Sequence, residues 1–442
     1  MKCEDGVANE AMGSSVSGAA VFDHAPEPEV NAEAVQSRTI KVLASAQILG
    51  GVGAASGAAV GALLAADLTS DSFAGLAASS SAVGAAVVAI PISRIMNSRG
   101  RRPGLMFAYL MAISGAILVI GGAITEFFPL ALLGLIMCGS GNAATLQSRY
   151  AATDLAPEER RGRALATVVW ATTLGSVLGP NLASPLGRLA ESINVPELAG
   201  PYLLSIVVWM LAMLLVSTFM RPDPLLTARA ITHREGGTHY PRKSVMETLD
   251  LIIAVPAARV GLAAMMIGQA VMTAVMSMTP VHLKHGGEGL RVVGLVISIH
   301  IAGMYAFSPI VGILVDRIGR RFVIGLGGVI LLASFLFAGT AAGNQVPQLS
   351  IGLMLLGLGW SCTLIAGSTL LSESMSLDVR PSVQGTADLL MGMSGATAGL
   401  LAGVVVGVGS YALLTAIATV LVTPMLIATA RNAMSMRSAA AA

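Results

Sequence analysis

The strongest constraint on this chain is a succession of apolar runs, each near the roughly 20 residues that a helix needs to cross a hydrocarbon core, set apart by short polar breaks. Only 11% of the residues are charged and 55% are hydrophobic, whereas a soluble domain carries about 25% charge. Water is therefore not the solvent for most of this surface. Glycine is abundant, with 50 residues, and small residues let helix backbones approach closely in lipid, where no hydrophobic effect draws helices together. The runs predict twelve spans, an all-α membrane protein. Six lie near 41–65, 73–95, 104–125, 128–150, 164–187 and 200–220. Six more lie near 257–281, 291–315, 321–342, 347–370, 383–408 and 410–430.

The polar stretch between the sixth and seventh spans divides the chain into six plus six. The expected organisation is a disordered tail over 1–38, a first half over 39–222, a linker over 223–256, a second half over 257–432 and a tail over 433–442. The first tail lacks an apolar signal-peptide core, so the first span is expected to be retained. It contains Cys3, Met12 and His24, scattered residues that suggest no site. With both termini on the cytoplasmic side, every Lys and Arg except Arg188, Lys284 and Arg291 falls on that side or in the tails. This is the asymmetry of the positive-inside rule, and a shift of one helix would destroy it. A bacterial cytoplasmic (inner) membrane is the expected location.

A motif recurs at the same place in each half. Between spans 8 and 9 the chain carries Gly312, Asp316, Arg317, Gly319, Arg320 and Arg321; between spans 2 and 3 it carries Arg99, Gly100, Arg101 and Arg102, without the acid. A glycine turn flanked by arginines gives a short hairpin whose cations can pair with an acid or a helix C-terminus. Alone it would be a topogenic basic loop, but its repetition is the internal symmetry of a transporter. It resembles the signature loop of the major facilitator superfamily. The resemblance implies two six-helix halves that rock about a midplane site, with the Asp316–Arg317 loop latching them when one face is closed. Gly175, Gly179, Pro180 and Asn181 in span 5 are similar to a motif of exporting members, but Ala183 and Ser184 stand where a glycine pair belongs.

Charges inside a membrane usually mark the path of a solute, and the sequence places no carboxylate at an obvious helix centre. Span 7 instead carries Met272 and Met276, and span 8 carries His300 and Met304. Each pair is spaced i, i+4 and so shares a helical face. Counting inward from the outer ends puts Met272 roughly 15 Å and His300 roughly 14 Å deep at 1.5 Å per residue. Antiparallel neighbours would then set a thioether and an imidazole at one level, with Met276 and Met304 above and below. Such soft neutral ligands suit copper, above all Cu(I). Methionine also fills gaps in apolar packing, and 23 methionines make that reading equally available.

The residues from Met276 to His282, and from Val293 through His300, Met304 and Tyr305 to Ser308 and Pro309, resemble those of CcoA-like transporters. These are bacterial major facilitator copper importers that supply cytochrome oxidase assembly. The resemblance implies a metal role for Met272, Met276, His300 and Met304. It also implies copper as transported substrate rather than a bound cofactor, and a copper chaperone or other delivery protein as partner.

Secondary candidates are Cys138 and Cys362, which equally suit apolar packing, His282 and His285 at the outer end of span 7, and Asp388 near the start of span 11. Met391 and Met393 point to different faces. The three cysteines stand too far apart in sequence to suggest a disulfide framework. No nucleophile elbow, Walker motif, paired carboxylates or zinc tetrad is present, so no enzyme and no nucleic-acid partner is expected. A single chain in the bilayer is the expected unit. Three readings stay open at this point: a copper importer, a proton-coupled exporter of drugs or small metabolites, and a membrane receptor or assembly factor.

Overall fold

The computed structural model describes residues 31–69, 74–234 and 244–441. Cys3, Met12 and His24 of the expected tail lie outside these residues. The compact unit runs Ala32–Ala442. Its first half is built from α1 (Ala32–Leu68), α2 (Ala74–Arg99), α3 (Arg101–Ile124), α4 (Phe128–Ala151), α5 (Arg161–Glu191) and α6 (Gly200–Phe219). The linker supplies α7 (Pro224–Arg234) and α8 (Val245–Ala254). The second half contains α9 (Pro256–His285), α10 (Leu290–Tyr305), α11 (Ser308–Ile318), α12 (Arg320–Thr340), α13 (Val346–Glu373), α14 (Arg380–Val408) and α15 (Tyr411–Ala441).

Local sequence explains where these helices start and stop. Proline occupies the first turn of α4, α6, α9, α11, α13 and α14, where its missing N–H is no loss and its fixed φ favours the helix. Gly100 joins α2 to α3 at φ 92°, and Gly319 joins α11 to α12 at φ 96°. A residue bearing Cβ is strained there, so these one-residue turns need glycine. Among the described residues, ten helical stretches are long and apolar enough to cross a membrane. Helix α5, whose ends carry Arg161, Arg163, Arg188 and Glu191, is not among them, and α15 supplies only the shorter apolar stretch Tyr411–Ile427. Both pack against helices that do reach that length, α5 on α1 and α15 on α12. At the α1–α5 contact a Cβ on Gly175 would stand 2.7 Å from the Gly51 Cα.

Several expected boundaries move. Residues 32–38, expected in the tail, open α1, and 433–441, expected as a second tail, continue α15. The linker is largely helical. Ser244 caps α8 by accepting from the Glu247 backbone at 3.2 Å, while the Glu247 carboxylate accepts from the Ser244 backbone at 2.7 Å, a capping box. The eighth span is two helices, α10 and α11. Pro309 has no N–H for the carbonyl of Tyr305, and the Ser308 hydroxyl donates to that oxygen at 2.6 Å instead, marking a break.

Two apolar cores follow the two halves. One gathers around Tyr109 and Trp209. The other, centred on α9–α15, also takes in Tyr150, Leu165, Ala166 and Val169 from α4 and α5. The first half thus enters the core of the second at one end, which carries the arginine-rich turns.

Candidate functional site

At the arginine-rich end each Gly turn meets the opposite half. Asp316 closes α11 and accepts from the Gly162 backbone N–H at 2.8 Å, the Arg163 backbone N–H at 3.0 Å and Arg163 Nε at 3.0 Å. Its carboxylate therefore caps α5 of the first half, where the helix dipole favours negative charge. Gly312 sits one turn earlier, and a Cβ on it would meet the Ala166 Cβ at 2.5 Å. Arg320 forks onto Glu373 at 2.7 and 2.9 Å and donates to the Glu158 carbonyl. Arg317 is exposed and Arg321 half-buried on the rim.

In the first half the load falls on Arg101. It is fully buried, forks onto Asp154 at 2.7 and 3.0 Å, and reaches Gln384 of α14 at 2.7 Å. Arg99 is exposed, and the Arg102 backbone N–H donates to Asp223 at 2.8 Å. Asn97 stands where the second turn has its acid. Arg229 of α7 occupies the place, donating to the Asn97 side chain at 2.6 Å and backbone at 2.7 Å. The same guanidinium donates across to the Leu377 and Asp378 carbonyls at 3.4 and 3.0 Å.

Deeper in the seam lies a charge pair that the sequence reading did not anticipate. Asp388 of α14 accepts from Arg149 Nη2 at 2.6 Å, Gln147 Nε2 at 2.8 Å and the Tyr150 hydroxyl at 3.4 Å. Arg149 and Asp388 side chains are 1% and 2% exposed. Asp388, a candidate metal ligand by sequence, is thus committed to an arginine. Arg149 Nε and Nη1 are buried without a partner.

Elsewhere along the seam, α2 meets α14 through Ser93 against Gly385 and Ala86 against Gly392. Further along α14, Gly395 and Gly399 face Gln269 and Thr273 of their own half, and Gly403 and Gly407 face open space. On α5, Gly175 and Gly179 face α1 of their own half. The described contacts across the seam lie toward the arginine-rich end, while the opposite ends of α5 and α14 turn to their own bundles or to open space.

The methionine and histidine pairs are arranged differently from expectation. Helices α9 and α10 do not pair face to face; α10 packs mainly against α13, while α9 packs against α14 and α13. Met272 is therefore not set opposite His300 by neighbouring helices. It lies on the stripe of α9 that carries Met265, whose sulfur accepts from the Ser368 hydroxyl of α13 at 3.7 Å. His300 is 2% exposed and its Nδ1 lies 2.9 Å from the Leu353 carbonyl of α13. A carbonyl only accepts, so Nδ1 carries the proton, and in the neutral ring Nε2 bears the lone pair. That Nε2 is buried without a partner. Met304, one turn along, and Met272 are 8% and 9% exposed in the second core, and Met276 is half-buried against it.

Trp360 of α13 spans the angle between α9 and α10. Its Nε1 donates to Gln269 of α9 at 2.8 Å, and Tyr305 of α10 meets its ring edge-on with centroids 5.8 Å apart. Trp360 and Gln269 are not among the sequence candidates, and Tyr305 enters there only as part of the family resemblance. A tryptophan in mid-span, in a chain with only three, was the available signal.

The remaining candidates stand apart. Cys138 is buried in the first half, where its thiol points to the Ala112 carbonyl at 3.8 Å, and Cys362 is buried against α12 in the second. His282 lies 2.9 Å from the Ala341 carbonyl and stacks on Tyr411 at 4.4 Å, while His285 is exposed. Met391 is buried and Met393 exposed, on different faces. Among the described residues no three His, Cys, Asp or Glu side chains form a metal-holding group.

Comparison with known proteins gives one family. The model described as Major Facilitator Superfamily matches residues 42–291 and 262–433. The uncharacterized MFS-type transporter YddS of Bacillus subtilis is 40% identical over 406 residues, covering 88% of this chain and 90% of that protein. The riboflavin transporter RfnT of Brucella anthropi is 26% identical over 321 residues, covering 73% and 77%. Among solved structures, the E. coli fucose:proton symporter FucP shares the fold with a TM-score of 0.64 at 16% identity, covering 88% of this chain and 97% of that one.

Proposed function

The chain belongs to the major facilitator superfamily, a multi-pass membrane transporter and not an enzyme, and on that premise we propose that it imports copper by alternating access. The observation that carries this reading is His300. Its Nδ1–H is held by a backbone carbonyl while Nε2 offers an unused lone pair in a buried setting, the arrangement that orients a metal-binding imidazole. Met304 adds a thioether one turn away, and Met272 and Met276 on α9 add two more beside α13. Thioether and imidazole bind copper, particularly Cu(I), in preference to hard cations. Separate ligands rather than one closed cage let an ion move on. In this reading the arginine-rich end and both termini face the cytoplasm of a bacterial inner membrane. A single chain passes copper to a delivery protein that serves cytochrome oxidase assembly.

A second reading rests on Trp360, Gln269 and Tyr305, which together offer an aromatic edge and hydrogen-bonding groups between α9 and α10. Such a lining suits a planar organic solute, and RfnT, a relative, is a riboflavin transporter. The same cycle run outward is the exporter of drugs or small metabolites. Side-by-side uptake assays with radioactive copper and with riboflavin, in native protein, His300→Ala and Trp360→Ala, separate these readings. Copper uptake lost in His300→Ala but kept in Trp360→Ala supports the first. Riboflavin uptake lost in Trp360→Ala supports the second.

A further inference from the structure

Asp388 lies just over two turns into α14, in the second half, yet among the described residues every hydrogen bond of its carboxylate comes from α4 of the first half. The donors Gln147, Arg149 and Tyr150 all belong to one turn of α4. Parting the halves at the arginine-rich end therefore strips this carboxylate of all three. A buried carboxylate without partners is costly, and a neutral acid is far less so. The arginine has an alternative: its Nε and Nη1 are spare donors, and Gln147 Oε1 is a spare buried acceptor on the same turn.

The surroundings single out this one acid. Arg149 and Tyr150 are the ionisable groups that α4 brings to Asp388, and Tyr305 of α10 lies within electrostatic reach of Arg149. Where α2, α9 and α13 meet α14 they bring Ser93, Gln269, Thr273 and Ser372, none of which titrates. On α8, Glu247 and Asp250 are exposed, and Tyr411 of α15 is engaged with Thr279. Toward the arginine-rich end, Gln384 separates Asp388 from the closed Arg101–Asp154 pair, and Arg380 is turned to the Met375 carbonyl.

We propose that Asp388 is the proton-exchanging group of the transport cycle, protonated before the arginine-rich seam opens and deprotonated once it has opened. The inference rests on the carrier reading alone and not on the identity of the cargo. In the first step a hydronium ion from the outer face gives its proton to a carboxylate oxygen, an O–H bond forms, and the pair with Arg149 is released. In the second the proton passes to water at the inner face, and the anion recaptures Arg149 as the seam closes. Arg149 keeps its own proton throughout.

Spin labels at Ser98, exposed at the end of α2, and at Ser376, exposed in the turn between α13 and α14, report the width of the seam in nanodiscs without any cargo. The three native cysteines are replaced first. In the native background the open-to-closed ratio rises as pH falls, by up to about tenfold per unit for one coupled proton. Asp388→Asn abolishes the pH response, and Asp388→Glu keeps it with a moved midpoint. A native protein without a pH response, or an Asp388→Asn variant that retains it, overturns the proposal. Should Asp388→Asn fail to accumulate, Gln147→Met and Tyr150→Phe remove donors to the anion and move the midpoint to higher pH; an unmoved midpoint overturns it equally. Copper uptake is assayed separately. Its absence beside an intact pH response refutes the copper reading and leaves this one standing, and the reverse result does the opposite.

Discussion

The backbone N–H of Gly162, in the first half, donates to the carboxylate of Asp316, in the second, at 2.8 Å. Asp316 thus closes α11 of its own bundle and caps α5 of the other, and it can do so only while the arginine-rich ends are together. Conformational change and helix capping are coupled through one side chain.

Replacing Asp316 tests that coupling. Asp316→Asn keeps one acceptor but loses the charge, and an N-cap with its dipole contribution is worth about 1 kcal/mol, or roughly fivefold in the balance between open and closed seams. The variant is expected to shift the Ser98–Ser376 spin-label distances toward the open seam and to transport more slowly. Distances and transport equal to those of the native protein would remove Asp316 from the cycle.

Gly312 tests the closeness of the same seam. A Cβ there would sit 2.5 Å from the Ala166 Cβ and 2.8 Å from the Gly162 carbonyl oxygen. Gly312→Val is expected to hold the ends apart, with an overpacking cost of about 1–3 kcal/mol visible as a lower melting temperature. Unchanged spin-label distances across the seam would contradict this.

The first half replaces its missing acid with a residue from the linker. Arg229 holds Asn97 on one side and the Leu377 and Asp378 carbonyls on the other. Arg229→Ala is expected to widen the Ser98–Ser376 distance distribution, whereas Arg229→Lys, lacking the fork, recovers it only in part. A distribution that Arg229→Ala leaves unchanged would show that α7 does not strap the halves.

Arg101 and Asp154 are buried together, so removing one partner leaves an uncompensated charge. Arg101→Ala is expected to cost about 3–5 kcal/mol, and Arg101→Ala with Asp154→Ala to cost less than Arg101→Ala alone. Thermal unfolding in detergent checks this, and equal losses would mean that the charge is compensated elsewhere.

The parts of the molecule that local chemistry determines were legible in the sequence. Apolar runs located the spans, and the glycine–arginine repeats marked the two turns that meet opposite halves. Other features needed tertiary information. Arg149 and Asp388 stand 239 positions apart, and each by itself reads as a charge near a helix end. The expected Met272–His300 pairing assumed that consecutive helices are neighbours, but α13 takes the place beside both. Two of the differences do have local signals: the Ser244–Glu247 capping box marks the start of α8, and Pro309 marks the break between α10 and α11.

Copper transport itself provides the most direct test. Time-dependent uptake of radioactive copper is measured in cells expressing the native protein, His300→Ala or Met304→Leu, with membrane levels matched by immunoblot. The account predicts uptake in the native protein, its loss in His300→Ala and a severalfold reduction in Met304→Leu. Native protein that takes up no copper, or a His300→Ala variant that takes it up at the native rate, would contradict it.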